Sequence, residues 1–410
     1  MVTRRAFALG VAAFGLSGCV EGGGAGPVAR AEPAMRPVPN AGWDAWVAAF
    51  RSRAAARGIP APTLDAAFRG AGFLPQVIER DRSQTEFTRT LEDYLSIAAS
   101  DERLAMGRAM LARHAPTLAR IEASYGVQPP VVTAFWGLES FYGTRRGEVP
   151  VISALSTLAY EGRRAGFFED QLVAALRILQ NGDVSPGAMT GSWAGAMGHT
   201  QFIPTSFLAY AVDFTGDGRR DIWAEDPTDA LASTANYLAR AGWQPGRPWG
   251  VEVALPAGFA GPYGREAVRP VAGWSAAGLR AAAGGALPDH GPGALLRPQP
   301  GGPAFLVFRN FSAILRYNNA ESYAIGIGHL SDRLAGGGPL RGSFPPDAAG
   351  LTKADRQELQ RRLTARGFDT EGSDGVIGPR TRAAIAAYER SLGLPETGEP
   401  TLALLARLRG

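Results

Sequence analysis

The sequence predicts an α+β chain, predominantly α, in which a helical body carries a small β-rich insertion and a three-helix module follows it. Three observations carry this. Between residues 43 and 125 apolar residues recur at three- and four-residue spacing, the period that lays one stripe along a helix. Between residues 249 and 311 the pattern changes to short apolar stretches separated by Gly and Pro clusters, which read as strands. Gly336-Gly337-Gly338-Pro339 then opens a linker over residues 336–350, and residues 351–410 return to helical periodicity. At 410 residues, 45% hydrophobic and 20% charged, the chain has material for a sizeable core and two or three domains.

Taken in order, the first segment is a leader. Arg4 and Arg5 precede an apolar run from Ala6 to Leu16, too short to span a bilayer and laid out as a secretory signal. Thr3-Arg4-Arg5-Ala6-Phe7 is similar to a twin-arginine export signal, and ordinary secretion stays open. The run ends in Leu16-Ser17-Gly18-Cys19, which resembles the lipobox where bacterial lipoproteins are cleaved and acylated. Cys19 is the only cysteine, so an internal disulfide is excluded and lipidation accounts for it. Residues 1–19 are thus expected to be a lipoprotein signal peptide, and residues 20–42, aperiodic and rich in Gly, Ala, Pro and Arg, a flexible tether. Val20 is not an Asp retention signal, which favours the periplasmic face of the outer membrane over the inner one. A soluble periplasmic protein is the alternative.

The net charge of +4 is spread over Arg pairs such as Arg163-Arg164 and Arg219-Arg220, with no run of five or more basic residues. That argues against nucleic acid as a partner. In the body, residues 43–335, helices are expected from Asp44 to Arg57, Thr85 to Ala98, Glu102 to Arg113 and Ala115 to Tyr125. Pro129-Pro130 opens the next, with Val131, Phe135, Leu138 and Tyr142 at helical spacing and Gly143 placed as its C-cap. Strands are expected at Val251 to Leu255 and Phe305 to Phe308.

Glu139 lies beside the apolar stripe of the Pro129 helix, near its C-terminal end. Partial desolvation and the negative end of the helix dipole both disfavour the carboxylate, so both push its pKa upward. A general acid working near neutral pH needs that. Spacing alone fits equally well a solvated carboxylate paired with Arg145 or Arg146.

The stretch from Phe135 to Gly143, Phe-Trp-Gly-Leu-Glu-Ser-Phe-Tyr-Gly, resembles the catalytic helix of lytic murein transglycosylases of the membrane-bound B type, members of the lysozyme-like superfamily. Three further motifs follow in the family's order: Gly191 to Phe207, Ala235-Asn236-Tyr237, and Arg316-Tyr317-Asn318-Asn319 with Tyr323. The resemblance covers roughly Trp43 to Leu334. It implies a lysozyme-like catalytic domain in which Glu139 is the sole acid/base, cutting the MurNAc-GlcNAc β-1,4 bond without water to leave 1,6-anhydromuramic acid ends. By the same resemblance Ser192, Met197 and Gln201 line the cleft, and Tyr94, Tyr237, Tyr317, Asn318 and Tyr323 form a wall facing the sugars. No catalytic cofactor is implied. A hydrolytic muramidase using a second carboxylate, with Glu148, Glu161, Glu169 and Asp170 nearby in sequence, and a non-catalytic wall-binding scaffold are the competing readings.

Asp213 to Asp221 follows the EF-hand rhythm of alternating oxygen ligands, with Asp213, Thr215 and Asp217 in turn, Gly218 at the sixth position and the Arg219 carbonyl at the seventh. Calcium fits that set as a structural ion. The twelfth position is Ala224; similar enzymes close a longer loop with a later acid, for which Asp229 is the best match and Glu225 and Asp226 compete. His199 has no second histidine at ligand spacing, which argues against zinc. In the last module, Leu351 to Arg366, Arg380 to Leu392 and Thr401 to Leu408 read as helices, with Asp374-Gly375-Val376-Ile377-Gly378-Pro379 as a turn. It resembles the small peptidoglycan-binding domain of wall enzymes, which raises the local concentration of substrate. Glycan strands of peptidoglycan are the implied partner; oligomeric state leaves no mark in the sequence.

Overall fold

The computed structural model describes residues 35–82 and 90–410. The expected leader, Cys19 and most of the tether lie outside the described residues, as does the stretch from Thr85 to Arg89 where one helix was expected to begin.

Seven helices lead to the site: α1 (Ala41–Ala56), α2 (Ala61–Phe68), α3 (Pro75–Arg82), α4 (Leu91–Ala98), α5 (Asp101–Arg113), α6 (Ala115–Tyr125) and α7 (Pro129–Ser140). The starts of α1, α4 and α5 are capped by side chains. Asn40, Thr90 and Ser100 each accept a hydrogen bond from the backbone N–H three residues on, supplying partners to donors the first turn leaves free. Gly126 ends α6 in the left-handed conformation at φ 69°, which costs glycine nothing. Next come β1 (Val149–Pro150), α8 (Val151–Glu161), α9 (Ala165–Asn181), β2 (Thr190–Gly191), α10 (Pro204–Tyr210) and α11 (Thr228–Arg240). β1 and β2 pair antiparallel.

The β-rich insertion holds β3 (Gly250–Ala254), β4 (Val268–Arg269), α12 (Val271–Ala276), β5 (Arg280–Ala281), β6 (Gly293–Leu296) and β7 (Ala304–Val307). These form one antiparallel sheet ordered β4-β6-β7-β3-β5. Both expected strands are present, each shifted one residue towards the N-terminus; Val251 pairs with Leu306 and Leu295 with Leu306 on its other side. The body closes with α13 (Arg309–Tyr317) and α14 (Glu321–Leu334).

Two apolar cores meet behind the site. One gathers Phe135 and Trp136 of α7 with Leu231, Phe311, Ile314 and Ile327; the other gathers Leu155, Leu172, Phe202 and Phe207 around α8 to α10. Tyr317 packs against both.

The C-terminal module comprises α15 (Lys353–Thr364), α16 (Pro379–Ser391) and α17 (Leu402–Arg409), closed on Leu359, Ile385 and Leu405. Thr352 and Asp355 form a capping box at α15. Within residues 336–350, expected to be a linker, Glu252 accepts the N–H groups of Arg341 and Gly342. Arg356, buried in the module, reaches Asp347 and crosses to Glu92 and Asp93 of α4 at 3.1 and 2.8 Å. Burial of that guanidinium is tolerable because three carboxylates and two backbone carbonyls surround it.

Candidate active site

The site is built at the end of α7. The helix stops at Ser140, and Phe141, Tyr142 and Gly143 all turn left-handed, at φ 50°, 58° and 84°. Gly143 is therefore not the C-cap; Phe141 is, which corrects the sequence reading. Two aromatic residues in succession in that region cost about 1–2 kcal/mol each. Distant partners hold them there. Tyr142 donates to the Arg103 carbonyl at 2.8 Å, and its ring lies so close to Gly107 and Gly137 that a Cβ on either would come within 2.3 or 2.6 Å of it. Phe141 lies under the guanidinium groups of Arg103 and Arg145. Ser140 Oγ accepts from Gly143 N at 2.9 Å and donates to the His199 carbonyl at 2.5 Å. Trp136 Nε1 donates to His199 Nδ1 at 3.1 Å, and His199 Nε2 faces the Ala224 carbonyl at 2.7 Å, an arrangement that suits the neutral ring with its proton on Nε2. Burial, the largest influence, lowers its pKa.

This turn fixes Glu139, which is half-buried. Tyr323 of α14 donates to its Oε1 at 2.5 Å. Burial pushes the Glu139 carboxyl up to about 7, and the Tyr323 hydrogen bond pulls the other way without prevailing. No second carboxylate contributes. The acids nearby in sequence are engaged elsewhere: Glu161 with Arg82 at 3.0 Å, Glu169 with Arg53 at 2.8 Å and Asp170 with Arg57 at 2.9 Å, while Glu148 is exposed.

Opposite the acid stand the tyrosines. Tyr317 and Tyr323 both pack on Phe135, at ring-centroid distances of 4.8 and 6.2 Å. Tyr237 packs on Tyr317 at 4.8 Å, and Tyr210, which sequence reading did not select, packs on Tyr237 at 4.4 Å. Their hydroxyls are placed as well: Tyr237 donates to the Arg316 carbonyl at 2.6 Å and Tyr317 to the Thr200 carbonyl. Tyr94 of α4 sits against Gly326, one turn from Tyr323, and contributes to that residue's electrostatic surroundings. Asn318 Oδ1 accepts from Ala320 N at 3.1 Å, shaping the turn between α13 and α14.

The loop after β2 forms the remaining side. Ser192 Oγ is spent on the N–H groups of Ala194 and Ala196. Gln201, left-handed at φ 54°, donates from Nε2 to the Arg146 and Gly198 carbonyls, both at 2.9 Å, while its buried Oε1 has no partner. Met197 was expected to line the cleft; it is wholly enclosed in the α8–α10 core, because its backbone pairs with Phe202 and directs the side chain inward. Among the residues given no role from sequence, Ser140, His199 and Thr200 lie inside the motifs and Arg103 outside them, and all act through backbone carbonyls or caps, which residue identity does not announce. The Ser140-Phe141-Tyr142 run before Gly143 was the available hint.

Apart from this groove, the acidic loop folds back on Asp229. Carboxylate oxygens of Asp213, Asp217 and Asp229 lie within 4.8 Å of one another. Buried Asp229 accepts from Phe214, Thr215 and Asp221 N–H groups at 2.9–3.0 Å. Its pKa is raised, first by burial and also by the charge of Asp213, a repulsion that a divalent cation would relieve. Thr215 Oγ1 contacts Asp213 at 3.2 Å, and Arg219 N contacts Asp217 at 2.9 Å. Glu225 instead pairs with Arg146, and Asp226 accepts from Thr228. The donor set fits a hard cation closed by Asp229.

A lone carboxyl of raised pKa in an aromatic groove, set in a mostly helical body, is the arrangement of a lysozyme-like glycan-cleaving enzyme. The transglycosylase SLT domain model matches residues 42–332, and the chain belongs to that family; residues 352–408 match the putative peptidoglycan binding domain. Membrane-bound lytic murein transglycosylase B of Escherichia coli (strain K12) is 35% identical over 219 residues, an alignment spanning 52% of this chain and 58% of that relative. SltB3 from Pseudomonas aeruginosa, solved in complex with NAG-anhNAM-pentapeptide, is 50% identical, with a TM-score of 0.73 over 90% of this chain and 100% of that one. The Escherichia coli lytic transglycosylase Slt35 in complex with calcium is 28% identical, with a TM-score of 0.62 over 72% and 93%.

Proposed function

We propose that the substrate is the glycan strand of peptidoglycan and that Glu139 alone performs both proton transfers. As the neutral acid it protonates the oxygen bridging muramic acid C1 to the next sugar, and the C1–O bond breaks. The carboxylate so formed then takes the proton of the C6 hydroxyl on the same muramic acid while that oxygen closes onto C1. Glu139 ends protonated, the product is a 1,6-anhydro end, and no water enters. The observation that carries this reading is the absence, among the described residues, of any carboxylate acting on Glu139. A two-carboxylate hydrolase requires one at a set distance. Tyr323 steadies the carboxylate between the two transfers. Tyr94, Tyr237 and Tyr317 stack on sugar faces, and Ser192, Gln201 and Asn318 shape the adjoining turns. Mass spectrometry of digested murein tests this: anhydro-ended fragments support it, and reducing-ended fragments, heavier by one water, overturn it.

The finer assignments follow the same logic. Calcium would be held by Asp213, Thr215, Asp217, Asp229 and the Arg219 carbonyl, cross-linking the loop that leads into α11. Residues 43–335 form the catalytic domain and 351–410 a wall-binding module joined by residues 336–350. Cleavage before Cys19 removes residues 1–18 on export, and Cys19, the new N-terminus, is acylated, anchoring the enzyme through the 20–42 tether to the periplasmic face of the outer membrane. No described helix is long and apolar enough to cross a membrane. Fractionation of wild type and Cys19→Ser tests the anchor, with the variant expected in the soluble fraction.

A further inference from the structure

At the start of α13, beside the β-rich insertion, lies an open cavity of about 800 Å³ that none of the groove residues lines. Its walls include Arg247, Arg265, Arg309, His290, Val268 and Phe308, and no Asp or Glu contributes to the lining. Arg265 is balanced by Glu321 at 3.2 Å and also donates to Asn319 at 2.9 Å. The side chains of Arg247 and Arg309 have no carboxylate partner among the described residues. A recess of this size with two uncompensated guanidinium groups, beside an exposed valine, suits a ligand bearing both carboxylates and small apolar groups.

The cavity and the groove share structure. Arg309 opens α13 and Tyr317 closes it, so the two stand about 12 Å apart along the helix. Arg265 lines the cavity and grips the Asn319–Glu321 turn that follows Asn318 and precedes Tyr323. A five-residue peptide, extended, spans at most about 17 Å. The length of a stem attached to a muramic acid seated against Tyr317 therefore exceeds the axial separation of Tyr317 from Arg309.

The geometry points to this cavity as a subsite for the carboxylate-bearing peptide stem of the substrate, with Arg247 and Arg309 as its anion-binding residues. The inference rests on the peptidoglycan reading and extends it from sugars to peptide. Its test uses the full chain carrying Glu139→Gln, so that nothing is cut, titrated with free stem pentapeptide and followed by calorimetry. Adding Arg247→Gln and Arg309→Gln is expected to weaken peptide binding about ten- to hundredfold. Amidating the carboxylates of the peptide, which leaves the protein untouched, is expected to weaken it likewise. Equal binding by both proteins and both peptides overturns the proposal, as does a flat titration of the parent, the result if the recess serves an acidic protein surface instead. If peptide binds through these arginines while the enzyme with Glu139 intact leaves murein uncut, the cavity assignment stands and the glycan-cleavage reading falls.

Discussion

Replacing Glu139 by Gln is expected to abolish cleavage and, at neutral pH, to stabilise the protein. Burial holds the carboxyl at about 7 against an ordinary value of 4.5, a gap worth about 3 kcal/mol when the group is ionised. The side chain is half-buried and partly screened, so about 2 kcal/mol is the working figure. Because the folded pKa lies above the unfolded one, the fold binds the proton more tightly. The stability from this group is fully present below about 4.5 and is lost as pH rises to about 7. Gln carries no charge at either end of that window and still accepts from Tyr323. The melting temperatures of the two proteins should therefore coincide near pH 4, and the variant should melt about 4 °C higher at pH 8. Scanning fluorimetry from pH 4 to 8, beside a murein digestion assay, reads both effects. A pH-independent difference would refute the raised pKa, and residual cutting would place the acid elsewhere.

Four further outcomes follow from the same geometry. Tyr323→Phe removes the donor that stabilises the carboxylate, so the basic limb of the pH–rate profile should move upward as kcat falls about tenfold. Gly137→Ala drives a methyl into the Tyr142 ring and should cost about 1–3 kcal/mol in a denaturant titration, since that ring is packed on both sides. Added calcium should raise the melting temperature of wild type and leave Asp229→Asn unchanged; an equal response would remove the cation from the acidic loop. Arg356→Ala strands Glu92, Asp93 and Asp347 around a vanished cation and should cost about 3–5 kcal/mol, seen as early proteolysis of the C-terminal module.

What the sequence reveals and what it hides divides along the range of the interactions involved. The helix that carries Glu139 was legible because a 3.6-residue stripe and two prolines are local signals, whereas Glu139 was singled out as the acid only by the motif around it. The tyrosines facing the acid were legible only through motif order, since Tyr317 and Tyr323 meet on Phe135 and Tyr237 packs on Tyr317, from three separate helices. The end of α7 was misread for the same reason. Gly143 is the residue local propensity selects as a cap, but Arg103, Gly107 and His199 together force the left-handed turn onto Phe141 and Tyr142. Met197 carried a motif position and no hint that its backbone pairing with Phe202 would turn it inward. Strands of two residues, such as β4 and β5, are too short for a period to register. The Gly-rich opening of residues 336–350 reads as a linker, and no local signal announces that Glu252, far upstream, accepts the N–H groups of Arg341 and Gly342 within it.

The central claim is that one carboxyl cuts the strand with no water in the product. Digesting murein in water enriched in heavy oxygen tests it most directly. The account predicts that fragments carry 1,6-anhydro ends with no label at the muramic acid C1, whereas labelled reducing ends would show that water, not the C6 hydroxyl, completes the reaction.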